Sequence, residues 1–161
     1  MDRLWSPWRY QYVSKALPSD SCVFCAKAAQ ENDDENLILH RGRYNYVLLN
    51  LYPYTTGHLM IAPYEHIANL EDLPPAAAGE LMSLTQQAVR HIRAVYRPQG
   101  LNAGMNLGEC AGAGIAGHLH MHVLPRWPGD ASFMTTIGET RVMPEDLPET
   151  WRRLKAAFQS R

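Results

Sequence analysis

The stretch Gly117–Trp127, GHLHMHVLPRW, places His118, His120 and His122 at every second position of a short apolar run. Strict alternation is the period of a β-strand, whose side chains point to opposite faces in turn. The three imidazoles therefore share one face, while Leu119, Met121 and Val123 share the other and face a core. At a rise of about 3.3 Å per residue, neighbouring imidazoles are rooted about 6 to 7 Å apart and the outer two about 13 Å apart. Two histidines spaced H-x-H can share one ion at bond lengths of about 2.0 to 2.1 Å, but three on an unbent strand cannot. At least one of them has another task.

The segments on either side supply the rest of a sheet. Leu101–Gly108 reads as a strand, joined to the histidine strand by the glycine-rich loop ECAGAGIAG in a wide hairpin. Its glycines, Gly108, Gly112, Gly114 and Gly117, let backbone N–H groups approach an anion without obstruction by a Cβ. The lysine and hydroxyl that close a Walker loop are absent. Upstream, Leu81, Leu84, Ala88, Ile92 and Val95 fall at three- and four-residue steps between Pro74-Pro75 and Pro98-Gln99-Gly100, which predicts one amphipathic helix. Gly57–Pro63 is a further strand. Asn36–Asn50 contains two β-rich runs around Arg41-Gly42-Arg43, where Gly42 is expected to supply the positive φ of a tight turn. Pro148–Phe158 closes the chain as a helix, with Leu147, Trp151, Leu154 and Phe158 along one side. Strands in hairpin succession with a helix inserted between the third and fourth predict an α+β domain, a mostly antiparallel sheet with its helices on one face.

The 161 residues fit a single domain: an arm over 1–35, a body over 36–143 and a C-terminal helix over 144–161. Ala26–Leu37 is a polar, acidic connector. With 46% hydrophobic residues, 19% charged residues and a net charge of −1, the chain has no polyanion-binding character, so nucleic acid is not an expected partner. No apolar run approaches the ~20 residues of a membrane span, and the aromatic, basic start is not that of a secretory signal, so a cytoplasmic location without a membrane partner is expected. Trp5, Trp8, Tyr10 and Tyr12 suit an arm packed across the body or a partner. Of the three cysteines, Cys22 and Cys25 form a C-x-x-C pair with zinc-ligand spacing, and Cys110 stands apart. A four-cysteine ribbon is impossible, so histidines would complete a metal site. A redox pair and two unligated thiols are the alternatives, and the redox reading lacks the βαβ pattern it needs.

A neutral imidazole with a pKa near about 6.5 is a nucleophile at pH 7, and a nitrogen bonded to phosphorus makes an intermediate that a second acceptor can open. Against this phosphoryl chemistry stand a catalytic ion held by His118 and His120, and a binding module without turnover. His40 and His91 belong to no motif and are assigned to surface or core. Met105 and Met121 are assigned to core filling, and Arg126 to phosphate or to an acidic partner.

With these residues in view the sequence resembles the histidine triad family of nucleotide hydrolases and transferases, through His118-Leu119-His120-Met121-His122-Val123-Leu124. LLNLYPYTTGHLMIAPYEH and PRW support the likeness. LWSPWR and PRWPGD are similar to bacterial members related to diadenosine tetraphosphate phosphorylases. The resemblance implies a five-stranded α+β fold, a homodimer whose sheets join into one, and a nucleotidyl-His120 intermediate in the cleavage of dinucleoside polyphosphates or nucleotide conjugates. Purine nucleoside phosphoramidase activity is the alternative within the family. By the same resemblance the carbonyl of His118 orients His120, His122 contacts phosphate, and His58 is the upstream fourth histidine. Asn50, Asn106, Gly112 and Gly114 contact the nucleotide. No catalytic metal is implied, but a structural zinc is, held by Cys22, Cys25, His66 and His118. Gly114, Ile115 and Ala116 stand where many members carry a hydroxyl or amide, so help for the leaving group must come from backbone or His122.

Overall fold

The computed structural model describes residues 22–138, 140 and 142–160. The aromatic arm residues Trp5, Trp8, Tyr10 and Tyr12 lie outside this range. In chain order the elements are α1 (Val23–Ala28), β1 (Ile38–Arg41), β2 (Asn45–Leu49), β3 (Leu59–Pro63), α2 (Pro75–Tyr96), β4 (Gly100–Met105), β5 (Met121–Arg126), α3 (Phe133–Thr136) and α4 (Leu147–Gln159). The strands form one five-stranded sheet in the order β1-β2-β3-β5-β4, with every pairing antiparallel.

Helix α2 begins with Pro75 in its first turn, where a missing N–H is harmless, and ends at Arg97 in the left-handed conformation, φ 48°. Its buried stripe of Ala77, Leu81, Leu84, Ala88 and Ile92 packs on Val47, Leu49, Leu59, Ile61, Leu119, Met121 and Val123 from the sheet. Each fully buried Leu, Ile, Val or Met side chain among them contributes about 1.5 to 3 kcal/mol. Helix α4 starts at Asp146, whose side chain accepts from the Glu149 amide at 2.9 Å, and seats Leu154 in the same core.

Three expectations need correction. The helices do not lie on one face only. Every residue of β2 and of β3 is buried, so both faces of these strands need cover. Helix α1 supplies it on the far side, with Phe24 packed on Ile38, Tyr46, Leu48, Met60 and Ala62, and the Tyr46 hydroxyl donating to the Phe24 carbonyl at 2.9 Å. The supposed connector after the cysteines is therefore partly this helix. Second, Gly42 has no positive φ; an added Cβ there would sit 2.8 Å from the Asn45 carbonyl and 3.0 Å from Glu80 Oε1, so close approach demands the glycine. Glu80 of α2 accepts from the amides of Arg43, Tyr44 and Asn45 at 2.7, 2.7 and 2.8 Å, tying the hairpin to the helix. Third, β5 starts at Met121, not at His118, so the histidines straddle the start of the ladder.

Candidate active site and metal centre

The hydrogen bonds around the histidines assign their tautomers. His120 Nδ1 lies 2.8 Å from the carbonyl oxygen of His118, which can only accept. Nδ1 of the neutral ring therefore carries the proton and Nε2 keeps a free lone pair. The Tyr54 amide donates to His58 Nδ1 at 3.1 Å, which puts the proton of His58 on Nε2. That nitrogen donates to His122 Nδ1 at 2.9 Å, leaving His122 with an N–H on its Nε2. A base and a donor thus stand side by side, their ring centroids 4.8 Å apart and nearly perpendicular. Asn50 is drawn in beside them, its Oδ1 accepting from the Tyr52 amide at 3.0 Å and its Nδ2 lying 3.4 Å from His58 Nδ1.

Burial keeps the rings of His120 and His122 neutral. It lowers the pKa of His120 against the opposing pull of the His118 carbonyl. At His122, burial first and the neighbouring His120 second push the pKa down to about 4. The sheet face beneath is roofed by Phe24, whose ring centroid lies 4.8 Å from that of His120 and 5.1 Å from that of His118.

His118 serves a second group. Its Nε2 lies 2.9 Å from the Pro63 carbonyl and so carries the proton, which leaves the lone pair on Nδ1. Nδ1 is 3.3 Å from Cys22 Sγ and 3.6 Å from Cys25 Sγ, and Cys25 Sγ is 3.4 Å from His66 Nδ1. The four ligand atoms all lie within 4.8 Å of one another. Tetrahedral zinc, with bonds of about 2.3 Å to sulfur and about 2.0 to 2.1 Å to nitrogen, sets S···N edges of about 3.5 Å. The donor set and its spacing fit that ion. Burial and the adjacent Cys22 raise the Cys25 thiol pKa, an effect that a divalent cation reverses. A shared ion between His118 and His120 does not fit, because both nitrogens of His118 are committed, Nδ1 to the thiols and Nε2 to the Pro63 carbonyl.

The remaining predicted residues are placed less tightly. Asn106 follows the end of β4, one step past the Met105–Met121 pair and so level with His120. Its Nδ2 donates to the Gly112 carbonyl at 3.3 Å, ordering the glycine loop. Gly112 adopts φ 91° and Gly114 is exposed. Among the described residues none of these three is hydrogen-bonded to a histidine of the site. Arg126 pairs with Asp130 at 2.8 Å, which takes up the charge considered for phosphate. His40 and His91 pack on Phe158 away from the site, as non-motif residues should. Sequence reasoning missed Phe24, Tyr54 and Pro63. Phe24 stands inside the cysteine motif, where its position was a usable signal. Tyr54 and Pro63 act through backbone groups, which leave no mark in residue identity.

This sheet with its helices is the HIT fold, and the chain belongs to the HIT domain family, whose model matches residues 30–129. It is an enzyme of that type. Over 168 aligned residues it is 45% identical to the AP-4-A phosphorylase of Mycobacterium tuberculosis, covering 100% of this chain and 86% of that protein. The bis(5'-adenosyl)-triphosphatase of Saccharomyces cerevisiae is 31% identical over 91 residues, 56% of this chain and 44% of the yeast one. Among solved structures, a Zn-bound histidine triad family protein from Mycobacterium smegmatis superposes with a TM-score of 0.69 at 30% identity, covering 86% of this chain and 93% of that one.

Proposed function

We propose that this chain cleaves dinucleoside polyphosphates at the α-phosphorus through a nucleotidyl-His120 intermediate. One observation carries the reading: the 2.8 Å bond from His120 Nδ1 to the His118 carbonyl, which leaves Nε2 unprotonated. The kinship with proteins named AP-4-A phosphorylase and bis(5'-adenosyl)-triphosphatase supports the substrate class. In the first step the Nε2 lone pair attacks the α-phosphorus, so that a P–N bond forms and the bridging P–O bond breaks. The electron pair of that bond leaves on the bridging oxygen of the departing nucleoside polyphosphate, which departs as its anion while accepting a hydrogen bond from His122 Nε2. An oxygen of phosphate or water then attacks phosphorus, the P–N electron pair returns to His120 Nε2, and any proton the acceptor loses passes to solvent. The loop residues 114–116 carry no polar side chain, so His122 is the side-chain donor for the leaving group. Asn50, Asn106, Gly112 and Gly114 contact the nucleotide.

Cys22, Cys25, His66 and His118 hold a structural zinc, which when bound ties α1 to the strand end and stabilises the thiolates. The ligand His118 presents its carbonyl to His120, so the same residue serves both centres. Two chains join through their sheets, and the protein works in the cytoplasm without nucleic acid or membrane as a partner. No described helix is long and apolar enough to cross a membrane. The test is mass spectrometry of intact protein quenched during turnover of diadenosine tetraphosphate, with and without phosphate. An adduct of adenylyl mass that is absent from His120→Ala is expected, with nucleotide binding retained by that variant. Undiminished turnover by His120→Ala would overturn the mechanism.

A further inference from the structure

The tautomer of His58 depends on a stretch of chain with no ladder bonds of its own. Residues 51–57 connect β2 to β3 as turns and bends, and their outer side is open, with Leu51 and Tyr52 exposed. Within this stretch the Tyr54 amide stays 3.1 Å from His58 Nδ1 and the His58 amide 3.2 Å from the Thr55 carbonyl. These bonds keep the proton on His58 Nε2, facing His122 Nδ1. A connection so lightly covered opens easily unless it is backed from inside.

The backing meets the turn at Gly57. Its φ of 80° favours glycine, and a Cβ added there would lie 3.0 Å from Tyr96 Cε2, 3.2 Å from Tyr96 Cδ2 and 3.4 Å from Pro125 Cγ. The residue before His58 is thus pressed between the last turn of α2 and β5, and Thr55 Oγ1 donates to the Pro125 carbonyl at 3.1 Å. The half-buried Tyr96 ring is itself held. Its hydroxyl donates to Glu145 Oε1 at 2.6 Å, and the same oxygen accepts from the Thr150 hydroxyl at 2.8 Å. Arg153 pairs with Glu145, lies over the Tyr96 ring at 4.7 Å and donates to the Val95 carbonyl at 3.1 Å. Helix α4 and the segment before it therefore fix the ring whose edge abuts Gly57.

We infer that Tyr96 is a positioning residue for the His58–His122 pair: its ring sets the place of Gly57, and Gly57 sets that of the Tyr54 amide and of His58. The inference rests on the functional reading above and adds a residue to it. Among the described residues Tyr96 has no hydrogen bond or ring contact with a histidine of the site, so it acts on the chemistry through the turn. A misplacement of about 1 Å caused far from the reacting atoms can cost about a hundredfold in rate. A turn that loosens without losing His58 should cost less than that.

Three variants are compared with the unaltered protein: Tyr96→Leu, which removes the ring, Tyr96→Phe, which removes only the hydroxyl, and Leu81→Ala, which opens the core in the N-terminal half of α2. The measurements are steady-state kinetics on diadenosine tetraphosphate, melting temperature, and nitrogen NMR of the imidazole rings without substrate. Tyr96→Leu should lower kcat about tenfold with KM held within about twofold. His58 should change from one protonated and one bare nitrogen to two of intermediate shift, the signature of mixed tautomers. Tyr96→Phe should keep the His58 spectrum and hold kcat within about twofold, while melting about 2 °C or more lower. Leu81→Ala should also melt lower, with kcat again within about twofold. Should Tyr96→Leu fail to fold, Tyr96→Trp, whose wider ring has no slack against Gly57, takes its place with the same expected losses. An unchanged kcat and His58 spectrum in that variant, a loss that falls on KM, or an equal loss of kcat in Tyr96→Phe or Leu81→Ala overturns the positioning role. No turnover by the unaltered protein would sink the functional reading instead, and the nitrogen shifts would still decide the role of Tyr96.

Discussion

His122 should make the fold sensitive to acid between pH 6.5 and pH 4, the ordinary value of its ring and the value to which burial and His120 depress it. Above the upper limit the imidazole is neutral whether the chain is folded or unfolded, and it contributes nothing to the slope. Between the limits the unfolded chain binds a proton that the folded chain refuses, so stability falls with pH at about 1.4 kcal/mol per unit. Below the lower limit both states are protonated and the loss stops. Integrated over the window the loss approaches about 3 kcal/mol, and solvent access to a half-buried ring trims it to about 2 kcal/mol. Against a typical total of about 5 to 15 kcal/mol, that is large enough to read directly. The carboxylates of Asp33, Glu80 and Glu145, all held below their usual range, also lose stability in acid, so the comparison must be a difference. His122→Gln keeps an acceptor for His58 and removes the titration. Urea unfolding of both proteins at several pH values from 7 to 4 should show the unaltered protein losing about 2 kcal/mol more than the variant. Parallel curves would refute the assigned burial and tautomer of His122.

Replacing His58 by Phe removes the N–H that holds His122 Nδ1, so kcat should fall by about a hundredfold with KM changed little, as steady-state kinetics would show. Glu80→Gln places an amide against donors that now meet a carboxylate, and it should lower unfolding free energy by about 1 to 3 kcal/mol in urea titrations while kcat stays unchanged. Elemental analysis should find one zinc per chain, and exhaustive chelation or Cys22→Ser should lower the melting temperature by about 5 °C or more. An intact melting temperature after complete metal removal would defeat the structural role.

Much of the site can be read from local pattern. Alternation across Gly117–Trp127 separates Leu119, Met121 and Val123, which enter the main core, from the histidines, and no long-range information is required. The stripe on α2 is equally legible, because helical period and flanking prolines are properties of neighbouring residues. Gly42 shows the opposite case. A glycine at a turn suggests positive φ, yet the real demand comes from the Asn45 carbonyl and from Glu80, a side chain 38 positions away that no local pattern brings near.

What the sequence determined by itself is the identity and spacing of the reactive groups: three imidazoles on one face, a C-x-x-C pair, and strands and helices of definite period. Only the tertiary structure decided which nitrogen of each ring is free, because that depends on the His118 carbonyl, the Tyr54 amide and the Pro63 carbonyl, groups that every residue carries alike. It also decided that His118 faces Cys22 across 96 positions of chain, and that Phe24 roofs the ring of His120. A backbone carbonyl has no residue-specific signature, so its role follows only from where folding places it.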